Sequence, residues 1–302
     1  MPAVGASATR RLLLRTHLVF GANTDVGKTV ATAGLLRARL LAGGGGAGAA
    51  RYVKPLQCGG SDEASVRGWC RPAGDGGESP PLRLRTLFRW ETAASPHLAA
   101  RHERAPASDR EVLEAIRGEL ASAEEEEERG SAAVFVETAG GVLSPSSASP
   151  ENNAEGHARG GEGDGGGPPS WGWSTQADLY RNLSLPAVLV GDGRLGGISC
   201  TLAALEALGV RGYNVQGVVV VDDGGGYDNT GALREYAGRR GGRKRQAFER
   251  DPEASIVSLP PLPPEPEPLD GWFADVEVEE KLGAFERRLE TIWEEKAVQL
   301  AG

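Results

Sequence analysis

A three-layer α/β fold, with a mainly parallel sheet flanked by helices, is what the sequence predicts, on two observations: a phosphate-cradle signature near the start, and continuous apolar runs that alternate with helical stretches along the rest. The signature is HLVFGANTDVGKT, from His17 to Thr29, where an apolar run and a glycine-bearing turn lead into Gly27-Lys28-Thr29 at the head of an amphipathic segment. Glycines let backbone N–H groups approach a polyphosphate, a lysine neutralises it, and the hydroxyl that follows can ligate Mg²⁺. The helix predicted over Val30 to Ala42 aims the positive end of its dipole at the same anion. One detail departs from the common spacing: Ala22 holds the place of the first glycine, and Gly21 lies one residue further back.

The apolar runs give the strands: Leu18 to Ala22, Tyr52 to Leu56, Ala133 to Glu137, Ala187 to Gly191, Val215 to Val221 and Ser255 to Leu259. Most lack clean alternation, which suits strands buried on both faces of a parallel sheet. Helices fit between them at Val30 to Ala42, Asp109 to Leu120, Ser199 to Leu208 and Thr230 to Ala237. Ser108 with Glu111 makes a capping-box signature, and Gly209 reads as a helix stop. Strand and helix in alternation imply right-handed crossovers and a P-loop NTPase-like architecture, with ligands at the carboxyl ends of the strands.

The remaining segments mark the domain plan. Residues 1–16 carry Arg10, Arg11 and Arg15 with Ser7 and Thr9 and no acid, a composition that fits a short targeting or disordered segment. Residues 17–270 form the phosphate-loop domain. It is interrupted by flexible Gly43 to Ala50, by acidic Glu124 to Glu128, and by a low-complexity insertion at 144–170, which reads as a disordered surface loop. After proline-rich Pro260 to Pro268, residues 271–302 place Trp272, Phe273, Val276, Val278, Leu282, Phe285, Leu289, Ile292 and Trp293 among many charges. From Leu282 the spacing is helical, so an amphipathic helix there needs cover, from its own domain or from another. A net charge of −9 over 302 residues argues against a nucleic-acid partner, and the basic run Arg239 to Arg245 reads as a solvated loop. No apolar run is long enough to cross a bilayer, so no membrane partner is expected. Three cysteines without metal-ligand spacing fit a reducing compartment.

Chemistry collects at the strand ends. Lys54, in an apolar run and close in sequence to Asp62, is costly unless it faces an anion; as an alternative it guards an edge strand. Glu137 ends a strand and is followed by Thr138-Ala139-Gly140-Gly141. A carboxylate there can hold Mg²⁺, and the glycines would let amides approach a phosphate. Gly196-Gly197-Ile198-Ser199 opens a helix with free amides, or with an ordinary Ser cap. His97 reads as a packed or capping histidine rather than a catalytic base.

These segments resemble a known family. GANTDVGKT, YVKPLQCGGSDE, ASPHLAA, VFVETAGGVLSP and LVGDGRLGGISCTLAALEAL are together similar to dethiobiotin synthetase, most of all to the eukaryotic form fused to an aminotransferase. The resemblance implies ATP-dependent carboxylation and ring closure of 7,8-diaminopelargonic acid with CO₂ (bicarbonate), giving dethiobiotin, ADP and phosphate in biotin biosynthesis. A carbamate and a carbamic-phosphoric anhydride are the implied intermediates. Lys28 and Lys54 would be catalytic, and Thr29, Asp62 and Glu137 would hold Mg²⁺. Asp25, Val26, Gly27, Lys28, Thr29 and Val30 would wrap the phosphates of ATP. Glu137, Thr138, Ala139 and Gly140, with Asp222, Pro260, Pro261 and Leu262, would complete the nucleotide site. Lys54 and Cys58 would meet the substrate, and Gly196, Gly197, Ile198 and Ser199 would take its carboxylate from a neighbouring subunit, which implies a homodimer. Cys58 stands where the family usually has a hydroxyl, and Asp222-Asp223 where bacterial relatives have an asparagine. The resemblance leaves room for a fused or separate aminotransferase, joined through the terminal helix, and for a mitochondrial matrix or cytoplasmic location. A P-loop switch or partition ATPase, which lacks a small-molecule acceptor, is the alternative from another class.

Overall fold

Seven strands form one all-parallel sheet among the described residues, in the order β3-β2-β4-β1-β5-β6-β7. The structure is a computed structural model that describes residues 15–42, 49–70, 82–126, 132–152, 171–239, 246–264 and 268–301. In chain order, β1 (Arg15–Gly21) passes through the phosphate loop into α1 (Lys28–Ala42), and β2 (Ala50–Cys58) is followed by α2 (Asp62–Trp69). Next come β3 (Leu82–Trp90), α3 (Pro96–His102), α4 (Asp109–Glu126), β4 (Ala133–Gly141) and α5 (Gln176–Leu179), which runs into a 3₁₀ turn. Then follow β5 (Ala187–Gly193), α6 (Gly197–Val210), β6 (Val215–Asp222), α7 (Asn229–Arg239), the single turns α8 (Ala247–Arg250) and α9 (Pro252–Ser255), and β7 (Ile256–Leu259). The chain closes with α10 (Asp270–Phe273) and α11 (Val276–Ala301).

Two cores explain why the strands read as unbroken apolar runs. In β1, Leu18 and Phe20 face one core, with Ile116 of α4 and Leu208 of α6, while Val19 faces the other, with Leu35 and Leu36 of α1. A strand covered on both faces has no solvent side to mark with polar residues. Ser108 caps α4 as its sequence predicts: Ser108 N donates to Glu111 Oε2 at 2.7 Å, and Glu111 N donates to Ser108 Oγ at 3.3 Å.

The terminal helix finds its cover on the same unit. Val278, Leu282, Phe285 and Leu289 of α11 are buried in the α1 core. A Cβ on Gly34 of α1 would lie 2.5 Å from Leu282 Cδ1, so a glycine makes the notch into which Leu282 fits. Arg15 Nη1 lies 3.4 Å from Glu286 and 2.8 Å from Glu290, tying the helix to β1.

Several expectations need correction. Strand β3 is absent from the sequence reading: LRLRTLFRW carries three arginines, and as an edge strand paired only with β2 it exposes all three. Helix α6 does not stop at Gly209 but continues to Val210, with Arg211 as its cap. Ser144 to Asn152 is not a disordered loop. Ser146, Ser147, Ala148 and Ser149 are buried, and bridges Pro145 to Thr175 and Ser149 to Gly172 pair the segment with 172–175. Ser146 Oγ donates to Asp109 Oδ1 at 3.1 Å and accepts from Ser174 Oγ at 3.2 Å, and Asn152 Nδ2 donates to Ser147 O at 3.2 Å. Outside the described residues lie 1–14 of the targeting segment, 43–48 of the glycine-rich turn, 127–128 of the acidic run, 153–170 of the insertion, 240–245 of the basic run and 265–267 of the proline-rich stretch.

Candidate active site

The carboxyl ends of β1, β2 and β4 bring four predicted residues into contact. Lys54 Nζ lies 2.6 Å from Asp62 Oδ2 and 2.8 Å from Glu137 Oε1, and Thr29 Oγ1 donates to that same Glu137 oxygen at 2.9 Å. Strand β2 lies between β3 and β4, and Lys54 is 4% exposed, so the edge-guard alternative falls. Burial opposes the Lys54 ammonium, but Glu137 and then Asp62 outweigh it and raise its pKa. Glu137 is fully buried. Its second oxygen, Oε2, takes no hydrogen bond among the described residues. Tyr52 lies near enough that, after burial, the Glu137 charge raises its phenol well above the ordinary value, yet the two are outside hydrogen-bond geometry.

Asp62 owes its place to its neighbours. Ser61 caps α2, its Oγ accepting from Ala64 N at 3.2 Å, which leaves Asp62 as the first helical residue. Gln57 Nε2 donates to Gly59 O at 2.9 Å while Gln57 Oε1 accepts from Asp62 N at 3.3 Å. The sequence reading assigned Gln57 no task. Its contact with Asp62, five residues on, is announced by no local pattern.

Gly21 takes on a clear steric role. A Cβ there would meet Lys28 Nζ and Cδ at 2.8 Å and Asn23 O at 2.7 Å. The glycine therefore clears the volume into which the Lys28 side chain folds, and Lys28 Nζ donates to Asn23 O at 3.2 Å. Two loop residues, Asp25 (φ 55) and Gly27 (φ 83), are left-handed, which curls the loop between β1 and α1. Lys28 is 8% exposed, and burial, then the charge of Lys54, brings its ammonium down to about 8.

Other predicted residues are partly occupied. Thr138 turns its hydroxyl into the sheet, donating to Val19 O at 3.1 Å. Ala139 N donates to Gln176 Oε1 at 3.3 Å and Gly141 N to Ser144 Oγ at 2.8 Å, so these two amides already have partners. Cys58 ends β2, and burial pushes its thiol up to about 11 although Lys54 opposes this. Asp222 Oδ1 accepts from Gly224 N at 2.7 Å. A Cβ on Gly224 would lie 3.6 Å from Pro261, so the Asp222 loop and the Pro260-Pro261-Leu262 segment are adjacent. Trp272 Nε1 braces that segment through Pro261 O at 3.0 Å.

The Gly196 to Ser199 turn heads α6, with Gly196 as its left-handed cap (φ 87) and Ser199 within the helix, so the cap is glycine and not serine. It borders a pocket of about 700 Å³ shared with Leu195, Leu202 and Tyr227. His97 is a packed residue: Ser95 Oγ lies 2.9 Å from its Nδ1, and its ring lies 5.5 Å from that of Trp173.

A parallel sheet with a phosphate loop after its central strand and a lysine between two carboxylates beside it defines a P-loop NTPase-like α/β protein. A family model described as an AAA domain matches residues 15–154. The chain is 34% identical to the mitochondrial bifunctional dethiobiotin synthetase/7,8-diamino-pelargonic acid aminotransferase of Oryza sativa subsp. japonica, over 85% of this chain and 32% of the relative. It is 35% identical to the bifunctional dethiobiotin synthetase/adenosylmethionine-8-amino-7-oxononanoate aminotransferase of Emericella nidulans, over 89% of this chain and 28% of the relative. With the ATP-dependent dethiobiotin synthetase of Anaeromyxobacter dehalogenans it shares 32% identity, over 68% of this chain and 76% of the relative. The chain belongs to the dethiobiotin synthetase family. It spans about a third of the length of the bifunctional relatives it matches.

Proposed function

We propose that the chain converts 7,8-diaminopelargonic acid, CO₂ and ATP into dethiobiotin, ADP and phosphate. The observation that carries this reading is Lys54, buried between Glu137 and Asp62 beside the phosphate loop of Lys28. One substrate amine adds to CO₂ and loses a proton, giving a carbamate. A carbamate oxygen attacks the γ-phosphorus of ATP and ADP leaves. The second amine then attacks the carbamoyl carbon of the mixed anhydride, phosphate departs, and the cyclic urea closes. Both the attacking group and the transferred group are anions, so fixed cations on either side lower the barrier. Lys28 and Lys54 fill those roles. Asp25 to Val30 wrap the phosphates, Asp222 and Pro260 to Leu262 border the base, and Cys58 lies along the acceptor.

Mg²⁺ fits the donor set. Thr29 Oγ1, Asp62 and Glu137 are hard oxygen donors, and Glu137 Oε2 is a buried oxygen with no hydrogen-bond partner among the described residues. No group of three or more His, Cys, Asp or Glu gathers among the described residues, so the proposal of Mg²⁺ rests on Thr29, Asp62 and Glu137 alone. When bound, the ion would neutralise charge on the phosphates. A homodimer follows if the α6 turn takes the acceptor carboxylate of a second copy. An aminotransferase, fused or separate, would supply the diamine, and a mitochondrial location agrees with the names of the plant relatives.

The test is ADP release. It should require both diaminopelargonic acid and bicarbonate; release indifferent to them would favour the switch ATPase.

A further inference from the structure

The turn after β5 holds a residue to which the reading above gives no task. Arg194 is anchored at every backbone group. Its N–H donates to Asp192 Oδ1 at 3.0 Å, and its carbonyl accepts from Asn229 Nδ2 at 2.9 Å and from Gly197 N at 2.8 Å. Gly197 has no room for a side chain, since a Cβ there would collide with Asp192 O. The guanidinium is anchored as well, with Nε donating to Asp192 Oδ1 at 2.8 Å and Nη2 to Asp192 Oδ2 at 2.7 Å. Asp192 is itself held in place, Asn229 Nδ2 donating to its carbonyl at 2.9 Å and its N–H donating to Thr201 Oγ1 at 3.0 Å. A side chain fixed this firmly is usually buried. The Arg194 side chain is 48% exposed, and its Nη1 makes no hydrogen bond among the described residues.

Its location is the phosphate loop. Nη2 also reaches Thr24 O at 3.5 Å, the outer limit of a hydrogen bond. Lys28 Nζ donates to the carbonyl one residue earlier, Asn23 O. Two cations from different elements therefore converge on the consecutive carbonyls of Asn23 and Thr24. The lysine of such a loop reaches the β- and γ-phosphates, so the second cation lies beside the same end of the nucleotide. Asp25 is the nearby competing anion. A phosphate oxygen is a far better acceptor for a guanidinium than a carbonyl at 3.5 Å. We propose that Arg194 contacts the terminal phosphate of the bound nucleoside triphosphate, with Asp192 as the tether that holds its donors in place. This rests on the nucleotide reading above.

The test is equilibrium binding of ADP and of a non-hydrolysable ATP analogue to the full chain, wild type, Arg194→Ala and Arg194→Lys, with thermal melting to confirm folding. Arg194→Ala should weaken the triphosphate analogue by roughly 10- to 100-fold and ADP by no more than about 3-fold, because only the former carries the group contacted. Arg194→Lys, which keeps the charge but not the fork, should fall between wild type and Ala for the analogue alone. Equal weakening of both nucleotides would make Arg194 a brace for the loop through Thr24 and overturn the inference. So would unchanged binding accompanied by a raised KM for the diamine, which would assign Arg194 to the acceptor carboxylate. A wild-type protein that binds neither nucleotide overturns the nucleotide reading itself, and this inference with it.

Discussion

Lys54 carries its charge where an unpaired ammonium would lose it. Burial alone favours the neutral amine, and the raised pKa shows that the contacts with Glu137 and Asp62 decide the outcome. Such a pair is weak evidence of stabilisation, since desolvation offsets much of the attraction, so a catalytic reason for its presence is the stronger account. Lys54→Ala should lower kcat by about 10²- to 10³-fold while nucleotide affinity stays within a few-fold. Steady-state kinetics beside nucleotide titration checks this, with melting curves to register any cost of leaving Glu137 buried and unpaired. Wild-type turnover would remove Lys54 from the mechanism. The cluster was largely legible in the sequence because Lys28, Thr29, Lys54 and Glu137 each follow an apolar run or glycine turn. Gln57 and Arg194 were not, because their importance lies in contacts with Asp62, Asp192 and Thr24 that no local pattern announces.

Strand β1 joins site to core, and it carries a pH-sensitive residue. His17 is buried, its Nε2 donating to Gln216 Oε1 at 2.8 Å, and burial brings its pKa down to about 4 from 6.5. Between pH 4 and 6.5 the unfolded chain therefore binds the extra proton, and stability rises with pH through that window. Going from pH 7 to pH 5 should cost the wild type ~2 kcal/mol through this one group, a loss that His17→Gln removes while retaining a side-chain donor. Urea unfolding at the two pH values measures it, and equal pH dependence in both proteins would contradict it. Elements with a single strong period or two buried faces were legible: six strands, α1, α4, α6, α7 and the terminal helix. Strand β3 was not, because an arginine-rich edge strand lacks the apolar run of its neighbours. Ser144 to Asn152 misled for the opposite reason, since small polar residues can be buried when they satisfy one another, as Ser146, Asn152 and Asp109 do.

At the scale of the molecule, α11 closes the apolar side of α1 and ties back to Arg15, so the C-terminal segment is part of the same packed unit as the phosphate loop. On the other face of the sheet, α4 and α6 pack over a second core. Leu195 is 79% exposed beside the pocket at the head of α6, where an acceptor from a second copy would enter. The proposed homodimer predicts that specific activity falls on dilution, followed by light scattering and initial rates; full activity in a strict monomer would refute the proposal. The family assignment stands on relatives, and the reaction stands on the site, so the most direct measurement follows the carbon. With ¹³C-bicarbonate, ATP, Mg²⁺ and diaminopelargonic acid, one labelled carbon should appear in the ring carbonyl of dethiobiotin, with one ADP per product. ATP consumption with no label in the cyclic urea would contradict it.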